Sequence, residues 1–273
     1  MARATITYVK NRLNDKYAKK KFGQNFLIDD NVVDKIAKIA CDRSLLTIEI
    51  GPGLGALTQK LLELSKQVIA IEIDKKMVEV LNENFKNYSN LKIINEDFMK
   101  VDLNELISNY KEYKEVIIVS NLPYYIATLL VVKAIKDPLC KGCVVMTQKE
   151  VALKFCAIQN QSDFSALSVL AQSVGEAKML FEVPPSAFVP QPKVTSAVFL
   201  IEKNQIPSSD FLVKLEELLK IAFNTPRKTL FNNLSKVYSK EKIMETLETL
   251  GIVSSKRPHE IDTTDYHRLL KLL

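Results

Sequence analysis

The sequence predicts a doubly wound α/β domain with a mostly parallel sheet, followed by a small all-helical C-terminal domain. Three observations predict it. Short runs that are apolar throughout alternate with stretches of helical periodicity up to about residue 176. Glycines, carboxylates or an Asn-Leu-Pro-Tyr turn stand at the ends of those runs. From Pro207 onward no strand pattern occurs, only helical spacing. Strands that are apolar on both faces belong to a parallel sheet covered by helices on both sides.

In order, Asn31–Ala40 reads as a helix, with Val32, Val33, Ile36, Ile39 and Ala40 on one face and Asp29 and Asp30 near its start. Leu45–Ile50 is the first strand, stopped by Gly51-Pro52-Gly53-Leu54-Gly55, after which Ala56–Leu64 is helical. Val68–Ile73 is the second strand and Lys75–Phe85 the helix after it. Leu91–Ile94, Val116–Val119 and Cys143–Met146 follow as strands, with a helix over Ile126–Ile135. Met179–Val183 and Ala197–Ile201, joined by a proline-rich loop, resemble a hairpin closing one sheet edge. Phe211–Phe223, Arg227–Val237, Lys240–Leu250 and Thr263–Leu272 are the C-terminal helices, with Thr225 and Pro226 as N-cap and first residue of the second. The division expected is an arm over 1–28, an α/β domain over 29–203 and a helical domain over 204–273.

With 47% hydrophobic and 26% charged residues, the 273-residue chain has the balance of a globular protein with a core. No apolar run approaches the roughly 18 residues of a spanning helix, and the basic start lacks an apolar signal core. A cytoplasmic monomer without membrane partners is expected. Four cysteines are too few for a disulfide framework, and Cys140 and Cys143 lack a second ligand pair, since His259 and His267 are distant. No His/Cys/carboxylate cluster has ligand spacing, so no metal is expected. The net charge of +6 is concentrated: residues 1–25 hold seven basic side chains against Asp15 alone, and the remainder balances 31 against 31. A solvated tail is one reading of this arm; a segment that binds a polyanion by releasing its counterions is the other.

In an open α/β sheet, ligands bind beyond the carboxyl ends of the strands. There the first strand offers Gly51 and Gly53, which let a ligand approach the backbone closely. The second offers Glu72, placed to accept hydrogen bonds from two ribose hydroxyls, and the third leads to Asp97, placed to accept from an adenine amine. These features suit S-adenosylmethionine and a nicotinamide dinucleotide equally, because Gly51-x-Gly53-x-x-Ala56 also satisfies the dinucleotide fingerprint. A purely structural turn is the third alternative.

Asn121-Leu122-Pro123-Tyr124, at the carboxyl end of the fourth strand, points to methyl transfer. An exocyclic aromatic amine is a poor nucleophile because its lone pair is delocalised into the ring. The Asn121 side-chain oxygen and the Leu122 carbonyl can accept both of its N–H bonds and favour a pyramidal nitrogen. Pro123 stiffens the turn, and Tyr124 offers a face on which an extruded base can stack. Catalysis then rests on orientation and electrostatics. Phe188, between Pro185 and Pro190, offers a second aromatic surface; a core phenylalanine is the alternative there.

These segments together resemble the rRNA adenine N6,N6-dimethyltransferase family, in particular its bacterial small-subunit (16S) branch. The resemblance runs through Lys21–Leu27, Glu49–Thr58, Asn121–Tyr124, Gln148–Val151, Glu182–Val194, Ala222–Asn224, Arg227–Thr229 and Arg257–Glu260. It implies a Rossmann-like S-adenosylmethionine-dependent methyltransferase sheet, and Pro52 and Glu49 then favour that cofactor over the dinucleotide. It also implies cofactor contacts from Asn25, Leu27, Gly51, Glu72, Asp97 and Asn121, and base contacts from Asn121, Leu122, Tyr124 and Phe188. The implied substrate is 16S rRNA within a small-subunit assembly intermediate, dimethylated at two adjacent adenosines near its 3′ end. Tyr125 and Pro226 depart from the family pattern, which often has a small polar residue and a further basic residue there. Rivals are the large-subunit antibiotic-resistance branch and a non-catalytic nucleic-acid-binding relative; the helical C-terminal domain and the intact Asn121–Tyr124 set oppose them respectively.

If the arm binds RNA, removing Arg3–Lys16 deletes four of its seven positive charges. The salt dependence of RNA binding should become shallower, by about 0.7–0.9 in slope for each phosphate that is no longer neutralised. An unchanged slope in a salt titration would assign the arm to solvent.

Overall fold

The computed structural model describes residues 25–273. The basic arm, and Lys21–Gln24 of the first motif, lie outside the described residues. The described residues divide into two compact units, one of 25–152 with 179–202 and one of 153–178 with 203–273.

The first unit is built on a seven-stranded sheet. Its strands are β2 (Leu46–Ile50), β3 (Val68–Ile71), β4 (Leu91–Ile94), β5 (Val116–Asn121), β6 (Cys140–Gln148), β7 (Gly175–Val183) and β9 (Ser196–Lys203), in the order β4-β3-β2-β5-β6-β9-β7. The pairs β4–β3, β3–β2, β2–β5 and β5–β6 are parallel, and β9 is antiparallel to β6. Two short strands, β1 (Phe26–Leu27) and β8 (Phe188–Val189), form a separate antiparallel pair. The doubly wound reading therefore holds, with β7 and β9 added at one edge. Every residue of β2 and β3 is buried, which explains why both read as apolar runs rather than alternating ones.

Helix α1 (Asp30–Ala40) shows how local chemistry sets the pattern. Asp29 caps it, its carboxylate accepting from the backbone N–H groups of Asn31 and Val32 at 2.9 and 3.3 Å. Val33, Ile36, Ala37 and Ala40 fall at helical spacing and are buried in one cluster with Leu57 and Leu61 of helix α2 (Ala56–Leu64), Val119 of β5 and Val144 of β6. Helices α3 (Lys75–Asn84), α4 (Leu103–Ser108) and α5 (Ala127–Lys136) follow β3, β4 and β5. Strand order reverses its march through the sheet between β2 and β5, and this is the switch point at which a crevice opens.

The second unit is helical: α7 (Ala166–Val174), α8 (Ser209–Ala222), α9 (Leu230–Leu234), α10 (Lys240–Leu250) and α11 (Thr263–Leu272), with α6 (Lys149–Cys156) crossing the division. Two expectations are corrected here. Leu153–Lys178 groups with the C-terminal helices rather than with the α/β domain. The Gln172 side-chain oxygen accepts from the Thr263 hydroxyl at 2.6 Å, Ser173 Oγ lies 2.7 Å from His267 Nε2, and Asn160 N–H donates to the His259 carbonyl. Six of the nine residues of helix α7 are buried. The second correction concerns Thr225-Pro226, which begins a turn and not a helix. Asn233, fully buried, accepts from the Thr225 N–H and donates to the Thr225 and Thr229 carbonyls, all within 3.1 Å. Helix α9 starts only at Leu230, with Thr229 as its cap. Among the described residues no helix is long and apolar enough to cross a membrane.

Asn233→Ala should destabilise the protein by about 1–3 kcal/mol, because it strands buried backbone groups at both ends of the Thr225–Thr229 turn. Denaturant titration should show a lowered midpoint with an unchanged slope.

Candidate active site

The crevice at the switch point is a cavity lined from four directions: the segment before β1, the ends of β2 and β3, the loop after β4, and the turn after β5. Ladder register sets the layout. Ile50 pairs with both Ile71 and Ser120, so Gly51 emerges beside Glu72 on one side and Asn121 on the other. The Ser120 hydroxyl donates to the Ile50 carbonyl at 2.5 Å and ties the two strand ends together.

On the β2–β3 side, Gly51 and Gly53 both have positive φ, +65° and +57°. That conformation is strained for any residue with a Cβ. At Gly51 a Cβ would meet no heavy atom within 4 Å, so the backbone faces open space. At Gly53 it would press on the Phe26 ring at 3.2 Å. Glu72 is buried. Its Oε2 accepts from Gly53 N–H at 3.1 Å and its Oε1 from Asp74 N–H at 2.9 Å. An ionised carboxylate has about four acceptor sites, so each oxygen keeps capacity for a further donor. Burial raises the Glu72 pKa and the charge of Asp74 adds to the rise, opposed by the backbone N–H groups of Asp74, Gly53 and Ile73. Asp97, half-buried, accepts from Met99 N–H at 2.9 Å.

Glu49 sits deeper, 1% exposed, and lines the same cavity. Thr58 Oγ1 faces the carboxyl, yet neither it nor Glu49 Oε2 has a hydrogen-bond partner of good geometry among the described residues. Desolvation pushes the Glu49 pKa up to about 8, the Thr58 hydroxyl opposes it, and the charge of Glu72 adds to it.

On the β5 side, Asn121 Nδ2 donates to the Asn25 carbonyl at 3.1 Å. With its amide nitrogen committed, the side chain directs Oδ1 elsewhere, as an acceptor. The Leu122 N–H donates to Met146 O at 3.0 Å, extending the β5–β6 ladder into the turn. Tyr124 Oη lies 2.7 Å from Ser196 Oγ, a buried hydroxyl on β9, and this bond fixes the ring's tilt. Burial raises the phenol pKa, opposed by the Ser196 hydroxyl.

Of the residues predicted from sequence, Asn25, Leu27, Gly51, Gly53, Glu72 and Asp97 all line this cavity. So do Asn121, Leu122, Pro123 and Tyr124. Phe188 does not. It is 1% exposed, pairs with Leu27 across β1–β8 and packs in the main core, so the expectation of a presented ring is corrected to a core phenylalanine. Its flanking prolines shape the chain around a buried side chain. Sequence reasoning missed Ile73 and Phe98, which line the cavity directly after Glu72 and Asp97. An apolar residue following each strand-end acid was the available signal. Ser196 carried none. The cysteines form no disulfide.

Because Glu49 holds its proton to about pH 8 when folded and only to about 4.5 otherwise, the folded state binds more protons between those values. Its contribution to stability is present below about 4.5, falls as pH rises between those values, and is lost above about 8. Glu49→Gln should therefore flatten the pH dependence of Tm over that window and raise Tm at about pH 8.5, just above it. A parallel profile for wild type and variant would contradict it.

The sequence profile of the family described as "Ribosomal RNA adenine dimethylase" matches residues 15–273. A protein of Helicobacter hepaticus named "Ribosomal RNA small subunit methyltransferase A" is 48% identical over 94% of this chain and 91% of its own. The crystal structure of a dimethyladenosine transferase from Plasmodium falciparum superposes with a TM-score of 0.75 and 28% identity, covering 89% of this chain and 95% of the other. The 23S rRNA methyltransferase ErmE shares the fold, with a TM-score of 0.69 at 24% identity over 91% of this chain and 99% of its own. The family match leaves no room for the dinucleotide alternative that the glycine loop allowed. This chain belongs to the ribosomal RNA adenine dimethylase family.

Proposed function

We propose that this protein dimethylates the exocyclic amines of two adjacent adenosines near the 3′ end of 16S rRNA. The substrate proposed is an assembly intermediate of the small subunit, and the enzyme a cytoplasmic monomer that needs no metal. The observation that carries the reading is the Asn25–Asn121 bond, which orients the Asn121 amide so that its oxygen serves as an acceptor at the cavity.

The β2–β3 side suits S-adenosylmethionine. The open space over Gly51 and the spare acceptor capacity of Glu72 match a ligand with hydroxyl donors. Glu72 would hold the ribose, Asp97 the adenine amine, and Asn25, Leu27, Gly51 and Gly53 the remainder. The cofactor supplies an electrophilic methyl group on a sulfonium.

On the other side, Asn121 Oδ1 and the Leu122 carbonyl would each accept one N–H of the target amine. That draws the nitrogen lone pair out of the ring plane and aims it along one direction. The Tyr124 ring, held by Ser196, gives the extruded base a fixed surface. The proton is lost after alkylation, so no charged base is required. Arg227 and Lys228 in the second unit are proposed phosphate contacts. Labelled methyl transfer to unmethylated small subunits, followed by nucleoside analysis and mapping, tests the assignment; label at any position other than the adenosine amine would overturn it.

Asn121→Ala should lower the methylation rate by about a hundredfold or more, with only a modest loss of cofactor affinity. Tyr124→Ala should be severe, since stacking contributes about 1–3 kcal/mol per base. Tyr124→Phe keeps the ring but strands the buried Ser196 hydroxyl at a cost of about 1–3 kcal/mol in stability, so its defect should appear in Tm more than in rate. A wild-type rate for Asn121→Ala in single-turnover assays would refute the amine-orienting mechanism.

A further inference from the structure

The residue beside Tyr124 is also a tyrosine, and it is placed quite differently. Tyr124 is half-buried, with its hydroxyl pinned to Ser196. Tyr125 lines the same cavity yet is 65% exposed, so its ring stands at the rim. At that exposure, packing among the described residues gives little reason for a large aromatic there. Exposed tyrosine gains little from the fold, and the helix that follows, α5, takes Ile126 and not Tyr125 as its cap. A ring that contributes little to the fold and borders a ligand cavity is available to a ligand.

The chemistry of the proposed reaction supplies one. A base that enters this cavity must leave its own stack, and the neighbouring base then loses a stacking partner. That uncovered face is the part of the RNA that must lie at the mouth while its neighbour is inside. An exposed aromatic ring at the rim can replace the lost partner whatever the base, because every base has a π-face. We propose that Tyr125 is the stacking platform for the nucleobase next to the one being methylated, so that adjacent tyrosines hold adjacent bases, one inside the cavity and one at its edge. This inference rests on the function proposed above.

The test is steady-state methylation of unmethylated small subunits by wild type, Tyr125→Phe, Tyr125→Leu and Tyr125→Ala, with S-adenosylmethionine affinity measured separately by calorimetry. Tyr125→Ala should raise KM for the subunits by about five- to a hundredfold with kcat little changed. Tyr125→Phe should behave as wild type. Tyr125→Leu, apolar but unable to stack, should behave as Tyr125→Ala. Cofactor affinity should be the same in all four. Wild-type KM in Tyr125→Ala, or in Tyr125→Leu, would overturn the stacking role. So would a loss of cofactor affinity that parallels the loss of activity, since Tyr125 would then be serving the cofactor half of the cavity. Failure of the wild-type protein to methylate small subunits at all would instead sink the proposed function, and the two results cannot be confused.

Discussion

The parallel pairing of β2 with β5 is the constraint on which the rest of the site depends. It joins the two halves of the sheet at the place where strand order reverses, and it brings the glycine loop and the Asn121 turn side by side. Ser120 and Ile50 reinforce it with a buried side-chain bond at the last rung before the cavity. Neither half is reactive alone. One supplies acidic and backbone groups suited to a nucleoside and a cation, the other neutral acceptors and an aromatic ring. The distance between them is set by one ladder spacing, about 4.8 Å, rather than by any flexible loop.

The polar groups near this junction are held in place mainly by the backbone. Glu72 is held by two backbone N–H groups and Asn121 by a backbone carbonyl from the segment before β1. Rigid partners of this kind keep side chains in one rotamer without further cost at the moment of reaction, which is what electrostatic preorganisation requires. Glu49 is the exception, since one of its oxygens is buried without a partner of good geometry. Such a group is costly to bury as an ion and retains its proton instead, so this corner of the cavity carries a neutral acid where the sequence alone suggests a charge.

Much of the architecture was legible because the central strands are buried on both faces. Val68–Ile71 and Val116–Val119 contain no polar residue that could obscure the pattern. The cavity was legible because strand-end residues such as Glu72, Asp97 and Asn121 interrupt apolar runs at positions where topology gathers ligands. Features that depend on distant partners were not legible. The place of helix α7 among the C-terminal helices follows from partners far along the chain, such as His267 for Ser173. Thr225-Pro226 carries a sound local start signal that the fully buried Asn233 overrides. Phe188 reads as presented because prolines surround it, but its pairing with Leu27 turns the ring inward, and that pairing spans most of the domain.

The bond between Tyr124 and Ser196 ties the β5 side of the cavity to the outer part of the sheet. Ser196 begins β9, which joins β6 in antiparallel fashion and is followed only by β7. Strands near a sheet's margin open more readily than central ones, in local excursions that leave the remaining structure intact. Each excursion that frees Ser196 also frees the Tyr124 ring, while the glycine loop, anchored on the more interior strand β2, stays formed. The two sides of the cavity therefore differ in how often they come apart, and amide exchange should be faster around Ser196 than around Gly53.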